Sequence, residues 1–95
     1  MPYIRKEKRY VYSDCLDFVE SIDNEGELNF VITTIIHKYL EKSKKNYSTL
    51  NTIMGVLSCV SLEFYRKFAS PYEDIKEQEN GELTYTFKDF KEKLD

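Results

Sequence analysis

Glycine and proline are scarce in this sequence, with 3 glycines and 2 prolines among its 95 residues. The glycines lie far apart, at Gly26, Gly55 and Gly81. A phosphate-binding loop needs clustered glycines, and so does the sharp turn that presents a nucleophilic serine. The sequence therefore favours neither P-loop chemistry nor nucleophilic hydrolysis.

Histidine and cysteine, which are common metal ligands, are also rare. His37 is the single histidine, and Cys15 and Cys59 are the two cysteines. No Cys-x-x-Cys or His-x-x-x-His spacing brings such residues together, so we predict no metal site and no cofactor. Both cysteines fall within helical patterns, which predicts buried free thiols, and His37 is interpreted as a partly buried or surface side chain.

Long apolar runs are absent as well. No run approaches the roughly 18 apolar residues of a membrane-spanning helix, and the sequence shows no signal peptide. We therefore expect a reduced, cytoplasmic protein with no membrane partner. The net charge of −3 argues against a general nucleic-acid binder.

The strongest pattern that is present lies in residues 48–74. Apolar residues recur there every three or four positions for about five turns, which predicts a helix that buries one face. Ser48 is expected to cap its start, and Pro71 is expected to end it. The predicted apolar stripe consists of Leu50, Ile53, Met54, Leu57, Val60, Phe64 and Phe68.

Two more helices are predicted before this segment, over residues 11–23 and 27–42. The first has an apolar face of Tyr12, Cys15, Leu16, Val19 and Ile22. The second has a more regular stripe of Leu28, Val31, Ile32, Ile35, Ile36, Tyr39 and Leu40. The short connection 43–47 predicts that the second and third helices form an antiparallel helical hairpin with Leu57 in its core.

The remainder of the chain is predicted to add smaller elements. Residues 71–79 resemble a short fourth helix that ends at Asn80 and Gly81. The alternating residues 82–87 favour a C-terminal strand, and residues 88–95 suggest a frayed end. The predicted fold is thus a single all-α domain over 1–95, with a basic N-terminal arm at 1–9 and an extended or frayed tail at 82–95.

The N-terminal arm has two interpretations. It carries basic side chains with interleaved tyrosines, a combination that suits phosphate contact and base stacking. Alternatively, Tyr3 and Ile4 pack on the helices while the charges face water, and the residues favour this second interpretation. The basic side chains are Arg5, Lys6, Lys8 and Arg9.

Several short motifs lie at the N-terminus and within two stretches, 26–40 and 53–83. They are MPYI at 1–4, Gly-x-Leu-Asn at 26–29, Gly-Val-Leu at 55–57, Glu-Phe-Tyr-Arg at 63–66, Pro-Tyr-Glu-Asp at 71–74 and Glu-Asn-Gly at 79–81. In these motifs the sequence resembles a family of small uncharacterised phage and prophage proteins. The spacer 43–46 and the tail beyond Gly81 depart from the family pattern. The resemblance implies a non-enzymatic protein that binds a host bacterial protein, as an inhibitor of a bacterial defence system.

The candidate binding residues lie where the third helix meets the fourth. Tyrosine and arginine are enriched at binding hot spots, and this stretch combines them with charged neighbours. The same residues also fit a structural lock, in which Arg66 pairs with Glu73 or Asp74 after Pro71. The predicted site consists of Tyr65, Arg66, Tyr72, Glu73, Asp74 and Lys76.

The sequence also fits two alternative functions and predicts self-association. An oligomer that sequesters a nucleotide between Tyr65, Arg66, Tyr72 and the basic arm is the first alternative function. An all-α Mg-dependent nucleotide pyrophosphohydrolase using Glu63, Glu73, Asp74 and Glu77 is the second, although Arg66 occupies the position of an expected carboxylate. We also predict a homo-oligomer with the first helix or the tail at the contact, because several aromatics do not fit one small core. These aromatics include Phe18, Phe30, Tyr47, Tyr65, Phe87 and Phe90.

Overall fold

The computed structural model describes residues 2–83 and 85–94, with 85–88 described by their backbone alone. Met1, Thr84 and Asp95, which belong to the predicted arm and tail, lie outside the described residues. Regular structure in the described part is helical throughout, which confirms the predicted all-α class. Its α-helices are α1 (Lys6–Ser13), α2 (Glu25–Glu41), α3 (Tyr47–Phe64), α4 (Ser70–Asn80) and α5 (Tyr85–Glu92). The chain divides into two compact units, residues 1–59 and 60–95.

The predicted first helix over 11–23 is wrong in both extent and type. The structure instead has α1, then a turn, then a 3-10 helix at Asp17–Ser21. The turn is closed by short-range bonds, from the Cys15 N–H to the Tyr12 carbonyl and from the Leu16 N–H to the Ser13 carbonyl. Serine and aspartate at 13–17 explain the break, because their side chains compete with helical backbone bonds. Residues 6–9 of the predicted arm belong to α1, and all residues of α1 are exposed.

Helix α2 is confirmed, and it begins at Glu25 rather than Glu27. Asn24 caps its start, with Oδ1 accepting a hydrogen bond from the Glu27 N–H at 2.9 Å. The Glu27 carboxylate in turn accepts from the Asp23 N–H at 3.2 Å and from Asn24 Nδ2 at 2.9 Å. This reciprocal arrangement satisfies N–H groups that the helix itself leaves free.

We expect Asn24→Ala to lower the free energy of unfolding by about 1 kcal/mol, because the substitution removes the cap acceptor. Chemical denaturation of the wild type and the variant measures the loss. Asn24→Ser retains an uncharged acceptor at the same position and should stay close to the wild type. An equal loss in both variants would show that the cap is not the cause.

Helix α3 is confirmed, but Ser48 is not its cap. The helix begins at Tyr47, and Asn46 Oδ1 accepts from the Thr49 N–H at 2.9 Å. Asparagine is a favourable capping residue because its side-chain carbonyl oxygen reaches the free N–H groups of the first turn. The antiparallel pairing of α2 with α3 stays a prediction.

Burial is much lower than the stripes predict. Among the residues that the structure describes, Ile53 is the one hydrophobic side chain that is buried, with 7% of its surface exposed. Leu57, Val31, Ile36 and Leu40 are half-buried. Most other members of the predicted stripes are exposed: Leu28, Ile32, Ile35, Tyr39, Leu50, Met54, Val60, Phe64 and Phe68. The prediction of buried thiols is also wrong, because Cys15 and Cys59 are free but exposed.

Gly55 in the middle of α3 provides a second stability prediction. A Cβ added there meets no atom within 4 Å, and alanine forms helices better than glycine. Gly55→Ala should therefore raise stability by about 0.5–1 kcal/mol, measured as a higher melting temperature. Gly81→Ala is the opposite control, because Gly81 has φ of 88° and a side chain there is strained. A fall in stability for Gly55→Ala would indicate that another chain approaches this position.

Pro71 does not end the helix as predicted. Within the unit 60–95 the helical backbone continues from α3 through a π-helix, Tyr65–Ala69, into α4. Ser70 keeps right-handed helical angles, φ −63° and ψ −48°, and its N–H donates to the Tyr65 carbonyl five residues back. A proline ring in an α-helix clashes with the carbonyl four residues before it, and the wider π turn provides room for the ring.

The end of α4 is predicted correctly, and the strand after it is not. Gly81 ends α4 with positive φ, and its N–H donates to the Glu77 carbonyl at 2.7 Å. The predicted strand over 82–87 is wrong, because Tyr85–Glu92 form α5. Alternation over so few residues is a weak signal, and the apolar positions 83, 87, 90 and 94 follow helical spacing equally well. In the described part of the chain, no helix is both long and apolar enough to cross a membrane.

Candidate binding surface

The predicted site residues lie on two consecutive elements of the unit 60–95. Tyr65 and Arg66 open the π-helix, whereas Tyr72, Glu73, Asp74 and Lys76 belong to α4. The two elements contact each other. Five of the six residues are exposed, and Lys76 is half-buried. Single π turns in helices are frequently found at functional sites, so the π-helix at Tyr65–Ala69 supports this region as a candidate site.

Arg66 is held by an acidic neighbour on the preceding turn. Its Nη2 lies 3.2 Å from both Oε1 and Oε2 of Glu63. The side chain of Arg66 is 62% exposed and that of Glu63 is 24% exposed. Glu73 or Asp74 was predicted as the partner of Arg66, and the structure shows an ion pair with Glu63. The i, i+3 spacing in the sequence is the signal that identifies this pair.

A second cluster lies on α4. The Lys76 ammonium is 5.6 Å from the centroid of the Tyr72 ring and 3.2 Å from Glu79 Oε2. The ring of Tyr72 therefore has a cation on one face, within the range of a cation–π contact. Because Tyr72 is exposed, the rest of the ring is accessible to a partner.

Phe64 and Phe68 are site candidates that the sequence analysis missed. Both were assigned to the buried stripe, yet both are exposed, with ring centroids 5.2 Å apart and planes at 40°. Phe64 directly precedes Tyr65 and Phe68 follows it by three residues, so the two rings enlarge the aromatic surface. No sequence signal identifies them, because the same i, i+4 spacing fits a core and an exposed pair equally well.

The acidic residues of the pyrophosphohydrolase hypothesis do not form one group. Glu63 is paired with Arg66, whereas Asp74 and Glu77 line an open groove of about 520 Å³. The groove is also lined by Ile75, Gln78, Gly81, Glu82 and Lys91. Among the residues that the structure describes, no three His, Cys, Asp or Glu side chains are placed to hold a metal ion.

The described surface thus presents aromatic rings and fixed cations. Such a combination binds other molecules by apolar contact, ring stacking and charge-assisted hydrogen bonds. A comparison with protein families gives a match over residues 1–83 to a family described as Domain of unknown function (DUF6899). No curated protein and no solved structure matches the chain.

Proposed function

The chain belongs to the DUF6899 family, and we propose that it is a non-enzymatic binding protein that engages another protein through Tyr65, Arg66 and Tyr72. The observation that carries the proposal is the exposure of these three side chains on and beside a π-helix. Tyrosine and arginine supply a large part of the free energy at protein interfaces. Glu63 and Lys76 support the surface, because they hold Arg66 and contact the Tyr72 ring.

The biological role that we propose is that of a phage-type protein in the bacterial cytoplasm. Its partner is a host protein, and the consequence of binding is inhibition of a bacterial defence system. The resemblance of the motifs at 63–66 and 71–74 to phage and prophage proteins supports this role. We also propose that the chain acts as a homo-oligomer.

Glu73, Asp74 and Lys76 are assigned to the edge of the proposed interface. Glu73 and Asp74 are exposed and charged, and Asp74 lines the groove described above. Charged residues at the rim of an interface contribute more to partner choice and association rate than to affinity. The central contact is therefore assigned to the tyrosines and Arg66.

Affinity capture from a bacterial lysate tests the proposed function. Tagged wild-type chain should retain a specific protein, and a variant with Tyr65, Arg66 and Tyr72 all changed to Ala should not retain it. Tyr47→Ala together with Arg5→Ala is the matched control, because it removes exposed residues of the same types from the unit 1–59. Equal capture by the triple variant would remove this surface as the site.

A nucleotide ligand is the main competing outcome. Wild-type chain is heated with and without a panel of nucleotides and dinucleotides, and the shift in melting temperature is measured. A large shift with one nucleotide, together with no retained protein in the capture experiment, would overturn the protein partner in favour of sequestration. The proposal expects no nucleotide-dependent shift.

A further inference from the structure

The first thirteen residues carry a charge opposite to that of the rest of the chain. Residues 1–13 hold four of the 14 basic residues and one of the 17 acidic residues, so this segment carries +3. The whole chain carries −3, which leaves −6 on residues 14–95. The small net charge is thus the sum of a basic segment and an acidic remainder, and such asymmetry is typical of chains that bind polyanions through one segment.

The cations of this segment are exposed and have no carboxylate partner. Lys6, Lys8 and Arg9 lie on the surface of α1, and the ion pairs found among the described residues all involve other cations. Arg9 is also held in position, because its Nε donates a hydrogen bond to the Ile4 carbonyl at 2.7 Å. The segment therefore presents positive charge that the chain itself does not neutralise.

Helix stability does not explain where these cations lie. They occupy the first half of α1, and its last turn has no basic residue. The N-terminal end of a helix carries partial positive charge, so cations stabilise the opposite end, as Lys38 does in α2. Lys6 and Arg9, three residues apart, are also neighbours on the helix surface, where like charges repel. An anionic ligand would offset both unfavourable effects.

Exposed tyrosines accompany the cations. Tyr10 is 71% exposed and Tyr12 is 53% exposed. Lys6 and Tyr10 are four residues apart, which places them on one face of α1. Packing of the arm on the helices would bury Tyr3 and Ile4, but these side chains are 48% and 43% exposed. The structure therefore favours the other interpretation of the arm, phosphate contact with base stacking.

We propose that α1 binds single-stranded nucleic acid, with Lys6, Lys8 and Arg9 on phosphates and Tyr10 stacked on a base. Stacking needs an accessible base face, which a single strand offers and the interior of a duplex does not. This surface belongs to the unit 1–59, so the inference goes beyond the proposed protein partner and does not depend on it.

A membrane surface, the other common polyanion, fits α1 less well. A helix that lies on a membrane needs its apolar side chains on one face. Tyr10, Val11 and Tyr12 are consecutive, so they point in directions about 100° apart around the helix. Cations and rings therefore alternate around α1 instead of separating into a polar and an apolar face.

Fluorescence anisotropy with a short labelled oligothymidylate and the matching oligouridylate tests the inference. The wild-type chain should bind at low salt, with an affinity at least about tenfold higher than for a duplex of the same length. The logarithm of the association constant should fall with the logarithm of salt concentration with a slope of about −2, because each of three phosphate contacts contributes about −0.7. The two oligonucleotides show whether DNA or RNA is preferred.

The charge contacts are tested by a pair of double variants. Lys6→Ala with Lys8→Ala should weaken binding about tenfold and reduce the size of the salt slope by about 1.4. Lys38→Ala with Lys44→Ala removes the same charge from exposed positions of the same unit and should match the wild type.

The stacking contact is tested at Tyr10. Tyr10→Ala should weaken binding about tenfold without changing the salt slope, because a ring is lost and no phosphate contact is. Tyr10→Phe keeps the ring and should bind as the wild type does. Tyr47→Ala, at a tyrosine that is 81% exposed, should have no effect.

Three results would overturn the inference. The first is a wild-type chain that binds neither oligonucleotide at low salt, and this result is decisive even where a variant fails to fold. The second is tighter binding to the duplex, or to vesicles of phosphatidylcholine and phosphatidylserine. The third is an equal loss in the two lysine double variants, which would show an effect of overall charge. No partner protein is present, so the capture experiment tests the surface at Tyr65, Arg66 and Tyr72 separately.

Discussion

Replacing Ile53 with alanine should lower the free energy of unfolding by about 2–5 kcal/mol. Ile53 is the one hydrophobic side chain that is buried among the described residues. Its truncation costs stability because it removes apolar contacts and leaves a cavity. Chemical denaturation at one fixed protein concentration measures the loss, because the stability of the proposed homo-oligomer would depend on concentration.

Ile75→Ala provides the matched control for this experiment. It is the same change at a position that is 53% exposed, and it should cost less than about 1 kcal/mol. Leu57→Ala, at a half-buried position, should fall between the two. If Ile53→Ala and Ile75→Ala have equal effects, Ile53 is not the centre of a core.

The second large effect is expected on partner binding. Arg66→Ala and Tyr72→Ala should each weaken affinity for the captured partner by about 2 kcal/mol, roughly 30-fold, as hot-spot residues do. Their effect on stability should be below about 1 kcal/mol, because both side chains are exposed and the ion pair of Arg66 with Glu63 lies near the surface. Calorimetric titration and thermal melting of the same two variants measure both quantities.

These measurements separate a binding site from a structural lock. A lock would lower the melting temperature of the variants and leave the affinity of the folded protein unchanged. Glu63→Gln is informative in both cases, since it removes the charge that holds Arg66 while leaving Arg66 in place. A binding site predicts a smaller loss of affinity for Glu63→Gln than for Arg66→Ala.

The sequence by itself determined that the fold is helical and where α2, α3 and α4 lie. Local signals suffice for these features, because apolar spacing and a terminal glycine act within a few residues. The cap of α3 was not predicted correctly, because Ser48 was expected and Asn46 accepts the hydrogen bond. The pairing of Arg66 with Glu63 is local in the same sense. The candidate residues from Tyr65 to Lys76 could therefore be identified from the sequence, together with the elements that carry them.

Only the tertiary structure decided burial and the behaviour of the backbone at Pro71. The spacing of Phe64 and Phe68 is the same whether the face is buried or exposed, because exposure depends on what packs against the helix. A proline ends an α-helix in most contexts, but one wider turn at Tyr65–Ala69 accommodates it at the level of the backbone. Similarly, the short alternation at 82–87 did not determine a strand, because a strand needs a neighbouring strand for its hydrogen bonds and Tyr85–Glu92 satisfy theirs within α5.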